Sequence, residues 1–384
     1  MRASSYLVAA AVAAGLALPV AAAAQEATRE PYELVRELRA LQDRIARGDS
    51  GAHAAQRDLL GRIAQAMASA DAAKWQEPRN ARAAVTYVLS GGNPSVLRNL
   101  LGHGVRLGLD EKLIKGAIAY GEGRFAEATD LLVAVDARAL DQSLAGHVAL
   151  VQSELVTRKD PKKALAYLDD ARLLAPGTLV EEAALRHQVA ILGAAGEVAG
   201  FESLAAQYLR RFQKSFYLEN FLVQFARDMA ASAKFDEPAR LTALEAALAV
   251  LDGEGRGQFY LAIAREGILK GRVRLASFTA GQAVKLAEEG SADNLRARLY
   301  EGAVLIVTEE FDRGNALLQG IDRAELDEGD LGLLEAALSL AAQVRRDAGE
   351  APAAMPPATA PGKAAQRAQQ LFAEVDGLLR EDKK

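Results

Sequence analysis

The chain of 384 residues has no cysteine, four histidines and few aromatic side chains, which make up 5% of it. Without cysteine, the chain has no disulfide framework, no thiolate zinc site and no cysteine nucleophile. A net charge of −5 argues against a nucleic-acid-binding protein, which normally presents a basic face. The shortage of aromatic and β-branched residues also argues against an all-β fold.

Alanine and leucine dominate the apolar half of the sequence, and arginine, glutamate and lysine supply most of its charge. All five are strong helix formers, so the composition predicts an all-α fold.

The first 24 residues have a different composition from the rest. Arg2 precedes the uncharged apolar run of residues 6–18, Pro19 ends that run, and residues 22–24 are alanines. This order is typical of a secretory signal peptide cleaved after Ala24. The run is shorter than the ~20 residues that a membrane-spanning helix needs, and no longer apolar run follows. We therefore expect a periplasmic mature chain without a membrane span.

A helix-turn-helix pattern recurs along residues 111–348. Equivalent positions at the start of the second helix are Ala128, Ala164, Phe201, Ala276 and Gly314. They lie 36, 37, 75 and 38 residues apart, and 75 is close to two periods. Small residues at such positions let paired helices approach closely. The pattern predicts a tetratricopeptide-like α-solenoid of degenerate repeats of about 37 residues; a non-repeating helical bundle is the alternative.

Both ends of the chain differ from this array. Residues 25–110 contain predicted helices at 31–47, 56–73 and 81–89, and we interpret them as an N-terminal helical cap. Residues 349–363 are rich in proline and alanine and predict an extended linker. An amphipathic helix is predicted for residues 364–384. Its apolar face could dock on this chain, pair with a second copy or bind a partner.

No catalytic, cofactor-binding or metal-binding motif occurs in the sequence, which predicts a protein that is not an enzyme and needs no cofactor. The histidines lie far apart in the sequence. Adjacent acids such as Glu181 and Glu182 do not face each other on a helix, so we expect solvated faces rather than acid–base pairs. An enzyme would need a carboxylate in a pocket with a raised pKa, and the sequence selects none.

Aromatic side chains are concentrated between residues 208 and 225, interleaved with basic ones such as Arg211. Core packing between consecutive helices is one explanation. The other is a partner-binding patch of aromatic anchors with basic neighbours. Under that second hypothesis, the predicted partner-binding residues are Tyr208, Arg211, Phe212, Phe216, Tyr217 and Phe221.

Several stretches resemble a known family. They include residues 144–152 (LAGHVALVQ), 160–165 (DPKKAL), 171–186 (ARLLAPGTLVEEAALR) and 208–212 (YLRRF), which precedes Asn220 and Phe221. The chain is similar here to the chemotaxis and motility protein C (MotC) family, and the resemblance extends over about residues 30–345.

The resemblance implies a periplasmic protein of the flagellar motor in alpha-proteobacteria. It implies a non-catalytic adaptor that binds the periplasmic part of the stator subunit MotB and is required for flagellar rotation. No functional residue can be carried over from the family. The alternative is a helical-repeat scaffold for cell-envelope or peptidoglycan assembly, since one fold serves many partners.

Overall fold

The computed structural model describes residues 29–349, and this part of the chain is all-helical, without a strand. This confirms the predicted all-α class. The predicted signal peptide, the linker and the C-terminal amphipathic helix lie outside the described residues.

Seventeen α-helices run through residues 29–349. The first nine are α1 (Pro31–Ala46), α2 (Ser50–Ser69), α3 (Pro78–Leu89), α4 (Ser95–Gly102), α5 (Glu111–Gly121), α6 (Phe125–Leu132), α7 (Gln142–Val156), α8 (Pro161–Leu174) and α9 (Leu179–Ala195). The other eight are α10 (Val198–Phe212), α11 (Leu218–Ala231), α12 (Pro238–Leu248), α13 (Gly253–Leu269), α14 (Val273–Leu286), α15 (Ala292–Leu305), α16 (Phe311–Gln319) and α17 (Glu328–Gly349). Short 3-10 helices lie at Ala72–Gln76, Ala137–Ala139, Ala233–Asp236 and Arg323–Glu325.

Local sequence explains where many helices begin. Asp160 accepts a hydrogen bond from the backbone N–H of Lys163 at 2.9 Å, and Pro161 occupies the first position of α8. The second helix was expected at residue 56, which is wrong, because α2 starts at Ser50. There the Asp49 side chain accepts a hydrogen bond from the N–H of Ala52 at 2.9 Å. The capping residue Asp49 directly follows Gly48, so α2 begins immediately after the turn that ends α1.

Consecutive helices pair closely where one of them carries a small residue. A Cβ added to Gly116 of α5 would lie 2.6 Å from the Leu132 side chain of α6. The same test places Gly146 of α7 2.6 Å from Ala175, which directly follows α8. These contacts leave no room for a larger side chain, so the small residues set the distance between the paired helices.

Alternate helices of the C-terminal half also pack on one another. Helix α9 packs on α11, α11 on α13, α13 on α15, and α15 on α17. Helix α10 likewise packs on α12.

Helix α1 packs on α2, on α3 and also on α9, which lies far along the sequence. The buried apolar residues form two clusters, one drawn from residues 34–184 and one from residues 185–341 together with Ala46. The clusters meet along α9. The N-terminal helices therefore reach the middle of the chain, where the predicted aromatic cluster lies.

Candidate partner-binding surface

The structure places most of the predicted aromatic cluster in the core. Tyr208, Phe212 and Phe221 are buried, and so is the neighbouring Phe225. The rings of Tyr208 and Phe221 stack at a centroid distance of 4.0 Å, which joins α10 to α11. These side chains have no free surface for a partner, and their role is the core packing that the sequence left open as the alternative.

Three predicted residues do reach the surface, and we name them the 211–217 surface: Arg211, Phe216 and Tyr217. Phe216 is 40% exposed, Arg211 is exposed and Tyr217 is half-buried. An exposed phenylalanine beside a tyrosine and an arginine is the composition of an interface anchor. The prediction of a partner-binding patch thus remains a prediction, now confined to these three side chains.

The end of α1, the start of α2 and the turn between them contact the 211–217 surface. The ring of His53 stacks on that of Phe216 at a centroid distance of 4.0 Å and an angle of 14°. The backbone N–H of Phe216 donates a hydrogen bond to the carbonyl oxygen of Ile45 at 3.1 Å. Gly48, with φ of 93°, lies so close that an added Cβ would overlap the carbonyl oxygen of Lys214. Only glycine satisfies both conditions at residue 48.

Two acids of α9 fix the same segment from the core side. Glu181 and Glu182 are buried, so the expectation that this pair faces solvent is wrong. Glu182 Oε1 accepts hydrogen bonds from the Tyr208 hydroxyl at 2.8 Å and the Ser215 hydroxyl at 3.1 Å. Because both acids lie in the first turn of α9, the helix dipole also favours their charge.

Ion pairs complete this network. Glu181 pairs with Arg211 at 2.7 Å, and Glu182 pairs with Arg186 at 3.3 Å. The Arg186 guanidinium also lies 5.0 Å from the centre of the Tyr217 ring, a cation–π distance. Burial raises the pKa of the Tyr217 hydroxyl, which keeps it neutral at physiological pH. The 211–217 surface is therefore held by a pre-organised set of contacts rather than by a flexible loop.

A groove of about 630 Å³ opens beside this surface, between α11 and α13. Its lining is mainly apolar, and one of the lining residues, Val223, is 42% exposed. Charged side chains of both signs also line it, among them Lys214, Arg296 and Glu219. The main apolar lining residues are Leu218, Leu222, Val223, Leu251, Phe259 and Ala262. An apolar groove with charged edges next to exposed aromatics suits a peptide segment.

Other kinds of site find no support in the part of the chain that the structure describes. Among residues 29–349, no three histidine, aspartate or glutamate side chains lie close enough together to hold a metal ion. Burial raises the pKa of Asp228 to about 6, but this carboxylate packs against Gly193 inside the core. None of the helices within those residues has the length and apolar character needed to cross a bilayer.

The described part of the chain is all-helical, and contacts from α1, α2 and α9 hold the 211–217 surface in place. Comparison with known proteins identifies its family. The family described as "Chemotaxis protein MotC" matches residues 1–382. A relative named "Chemotaxis protein MotC" from Rhizobium meliloti (strain 1021) is 32% identical over 378 residues, covering 98% of this chain and 86% of the relative.

The chain therefore belongs to the MotC family, a family of chemotaxis and motility proteins that is not known as an enzyme family. No solved structure matches the chain.

Sequence reasoning missed the second half of the site. His53, Glu182 and Arg186 all contact the 211–217 surface or its support, but none had been singled out for that role. His53 is separated from Phe216 by most of the N-terminal half, so no local pattern could have joined them.

Proposed function

We propose that this protein is a periplasmic, non-catalytic adaptor of the flagellar motor. In this proposal it binds the periplasmic part of the stator subunit MotB and is required for flagellar rotation. Membership of the MotC family supports a role in motility. The observation that carries the binding role is the exposed Phe216 beside the half-buried Tyr217, both held in place next to the groove between α11 and α13.

The same proposal includes the architecture. We interpret the closely paired helices as units of a tetratricopeptide-like solenoid, with α11, α13, α15 and α17 lining one continuous face. A solenoid binds partners along an extended surface, with a few anchors contributing most of the affinity. The groove beside the 211–217 surface lies on that row of helices, which supports its use as the binding face.

Export is the remaining part of the proposal. It rests on the signal-peptide pattern of residues 1–24, and it places the mature chain in the same compartment as the periplasmic part of MotB.

Motility of a deletion strain tests this function. Cells lacking the protein should assemble flagella that do not rotate, and the intact gene should restore swimming. A strain that swims normally without the protein contradicts the proposal. Altered cell shape or detergent sensitivity alongside normal flagellar rotation would instead indicate an envelope scaffold.

A surface variant tests the binding site separately. Replacing Phe216 and Tyr217 by alanine should abolish or strongly reduce swimming while the protein still accumulates. Phe125→Ala is the matched control, because Phe125 is 58% exposed but lies on α6. If both variants swim like the wild type, the 211–217 surface is not the binding site.

A further inference from the structure

Four arginines line one pocket near the N-terminal end of the fold. Arg36 and Arg39 project from α1, and Arg79 and Arg82 from α3, around a cavity of about 260 Å³. Four like charges around so small a space are unusual in a chain whose net charge is −5. Like charges repel at such distances, so the arrangement needs an explanation beyond packing.

The acids near this pocket are too few to neutralise it. Asp141 lies 3.5 Å from Arg82, but its other carboxylate oxygen already accepts hydrogen bonds from the Ser143 N–H and hydroxyl, at 2.9 and 2.6 Å. Arg79 pairs with Glu77 at 3.2 Å. Arg36 and Arg39 form no ion pair or hydrogen bond within residues 29–349. Arg39 interacts electrostatically with Asp43 and Asp141, so Arg36 is the guanidinium that remains available to a ligand.

One donor in the pocket is also buried without a partner. The Nε atom of Arg82 has no exposed surface and makes no hydrogen bond. A buried donor without an acceptor costs about 1–3 kcal/mol, and turning the Arg82 guanidinium toward a ligand oxygen in the pocket would remove that cost. Arg79 lies over the ring of Tyr32 at 5.0 Å, which helps to hold it in place.

The spacing of the arginines indicates the chemistry of the ligand. Each helix contributes two arginines three residues apart, so each pair lies on one face of its helix. A planar guanidinium matches either a carboxylate or a phosphate through two parallel hydrogen bonds, so the backbone N–H groups of the pocket distinguish the two. Backbone N–H groups, which commonly cradle phosphates, are taken here: Asp141 accepts from Ser143 N–H, and Glu77 accepts from Arg79 N–H.

From this arrangement we propose that the pocket between α1 and α3 binds a ligand with two or more carboxylates. Its volume admits a small polycarboxylate or the acidic side chains of a short protein segment, and the shared chemistry is the carboxylate. The pocket lies apart from the 211–217 surface, so this inference does not depend on the identity of the motor partner.

Titration calorimetry at low salt tests the proposal with chosen probes. The protein from residue 25 to 384 is titrated with citrate, with a capped hexaglutamate peptide and with inorganic phosphate. At least one carboxylate probe should bind, and more tightly than phosphate. Tighter citrate binding would identify a free metabolite as the source, and tighter peptide binding an acidic protein segment.

Variants then assign the binding to the pocket. Replacing Arg36 and Arg39 by alanine should weaken carboxylate binding at least tenfold. Replacing the same two arginines by lysine should restore only part of the lost affinity. The control replaces Arg57 and Arg210, exposed arginines outside the pocket, and removes the same charge. The single variant Arg36→Ala, at an exposed position, guards against misfolding of the double variant and should also weaken binding.

Three results would overturn the proposal: no carboxylate binding at millimolar concentration, phosphate bound as tightly as the carboxylates, or an equal loss in the control variant.

Discussion

The contact between the α1–α2 turn and the 211–217 surface predicts a large effect for Gly48→Ala. Residue 48 has φ of 93°, and its missing side chain makes room for the carbonyl oxygen of Lys214. Alanine would be strained by about 1 kcal/mol from the positive φ alone. The clash adds a second penalty, because the turn must move away from Lys214.

Moving the turn breaks two contacts. The hydrogen bond from Phe216 N–H to Ile45 contributes about 1 kcal/mol, and the stack of His53 on Phe216 contributes about 0.5–1.5 kcal/mol. Together with the strain, we expect Gly48→Ala to lower the free energy of unfolding by about 3 kcal/mol.

Gly91→Ala is the matched control for this experiment. Gly91 has φ of 87°, and a Cβ added there meets nothing within 4 Å. It should therefore show only the strain of about 1 kcal/mol. Urea unfolding followed by circular dichroism measures both variants, and hydrogen exchange at residues 213–217 reports whether the segment has been released. Equal losses for Gly48→Ala and Gly91→Ala would refute the contact.

Three further predictions concern buried ionisable groups. Burial raises the pKa of Asp228 to about 6, so ionisation of this carboxylate lowers the stability of the fold as pH rises from about 4 to 6. Asp228→Asn should therefore raise the free energy of unfolding at pH 7 by about 2 kcal/mol, and no gain in urea unfolding would contradict this. Burial lowers the pKa of His147 to about 4, and because the unfolded chain takes up the proton first, stability should fall as pH drops from about 6.5 to 4. His147→Gln should remove part of this dependence in thermal scans, since burial also lowers the pKa of His187 to about 4, and an unchanged dependence would contradict the prediction. Glu182→Ala should lower the free energy of unfolding by about 3 kcal/mol, because the buried Tyr208 and Ser215 hydroxyls lose their acceptor. Tyr208→Phe should lower it by only about 1 kcal/mol, and equal urea midpoints for the two variants would contradict the network.

Local physics explains why much of the helical structure could be predicted. The Asp160–Pro161 start of α8 and the close approach of Gly116 to Leu132 are set by residues near each other in sequence. Capping, fixed proline φ and small residues at helix crossings act over one or two turns, so the pattern is visible without a structure.

Long-range packing accounts for what could not be predicted. Helix α9 contacts α1, α7, α8, α10 and α11, so it is buried on more than one face. The prediction that Glu182 is solvated considered only that adjacent acids do not face each other on a helix, and not that α9 is packed on several sides. The stack of His53 on Phe216 depends on α1 reaching α9, which no local pattern encodes.

The aromatic cluster shows both outcomes in one segment. Tyr208, Phe212 and Phe221 point into the core, whereas Phe216 and Tyr217 lie in the turn between α10 and α11 and reach the surface. The concentration of aromatics in the sequence singled out this segment but left open which of its side chains are buried. The sequence pattern could not show that Phe216 and Tyr217 lie in a turn and reach the surface, because this depends on where α10 ends.

Direct binding to the periplasmic part of MotB tests the proposed adaptor function. The chain from residue 25 to 384 and the purified periplasmic part of MotB are mixed in a calorimeter, with the Phe216/Tyr217 double alanine variant and Phe125→Ala alongside. We expect saturable binding that the double variant weakens about tenfold or more and that Phe125→Ala leaves within about twofold. No binding by the folded wild-type chain would contradict the proposed adaptor function.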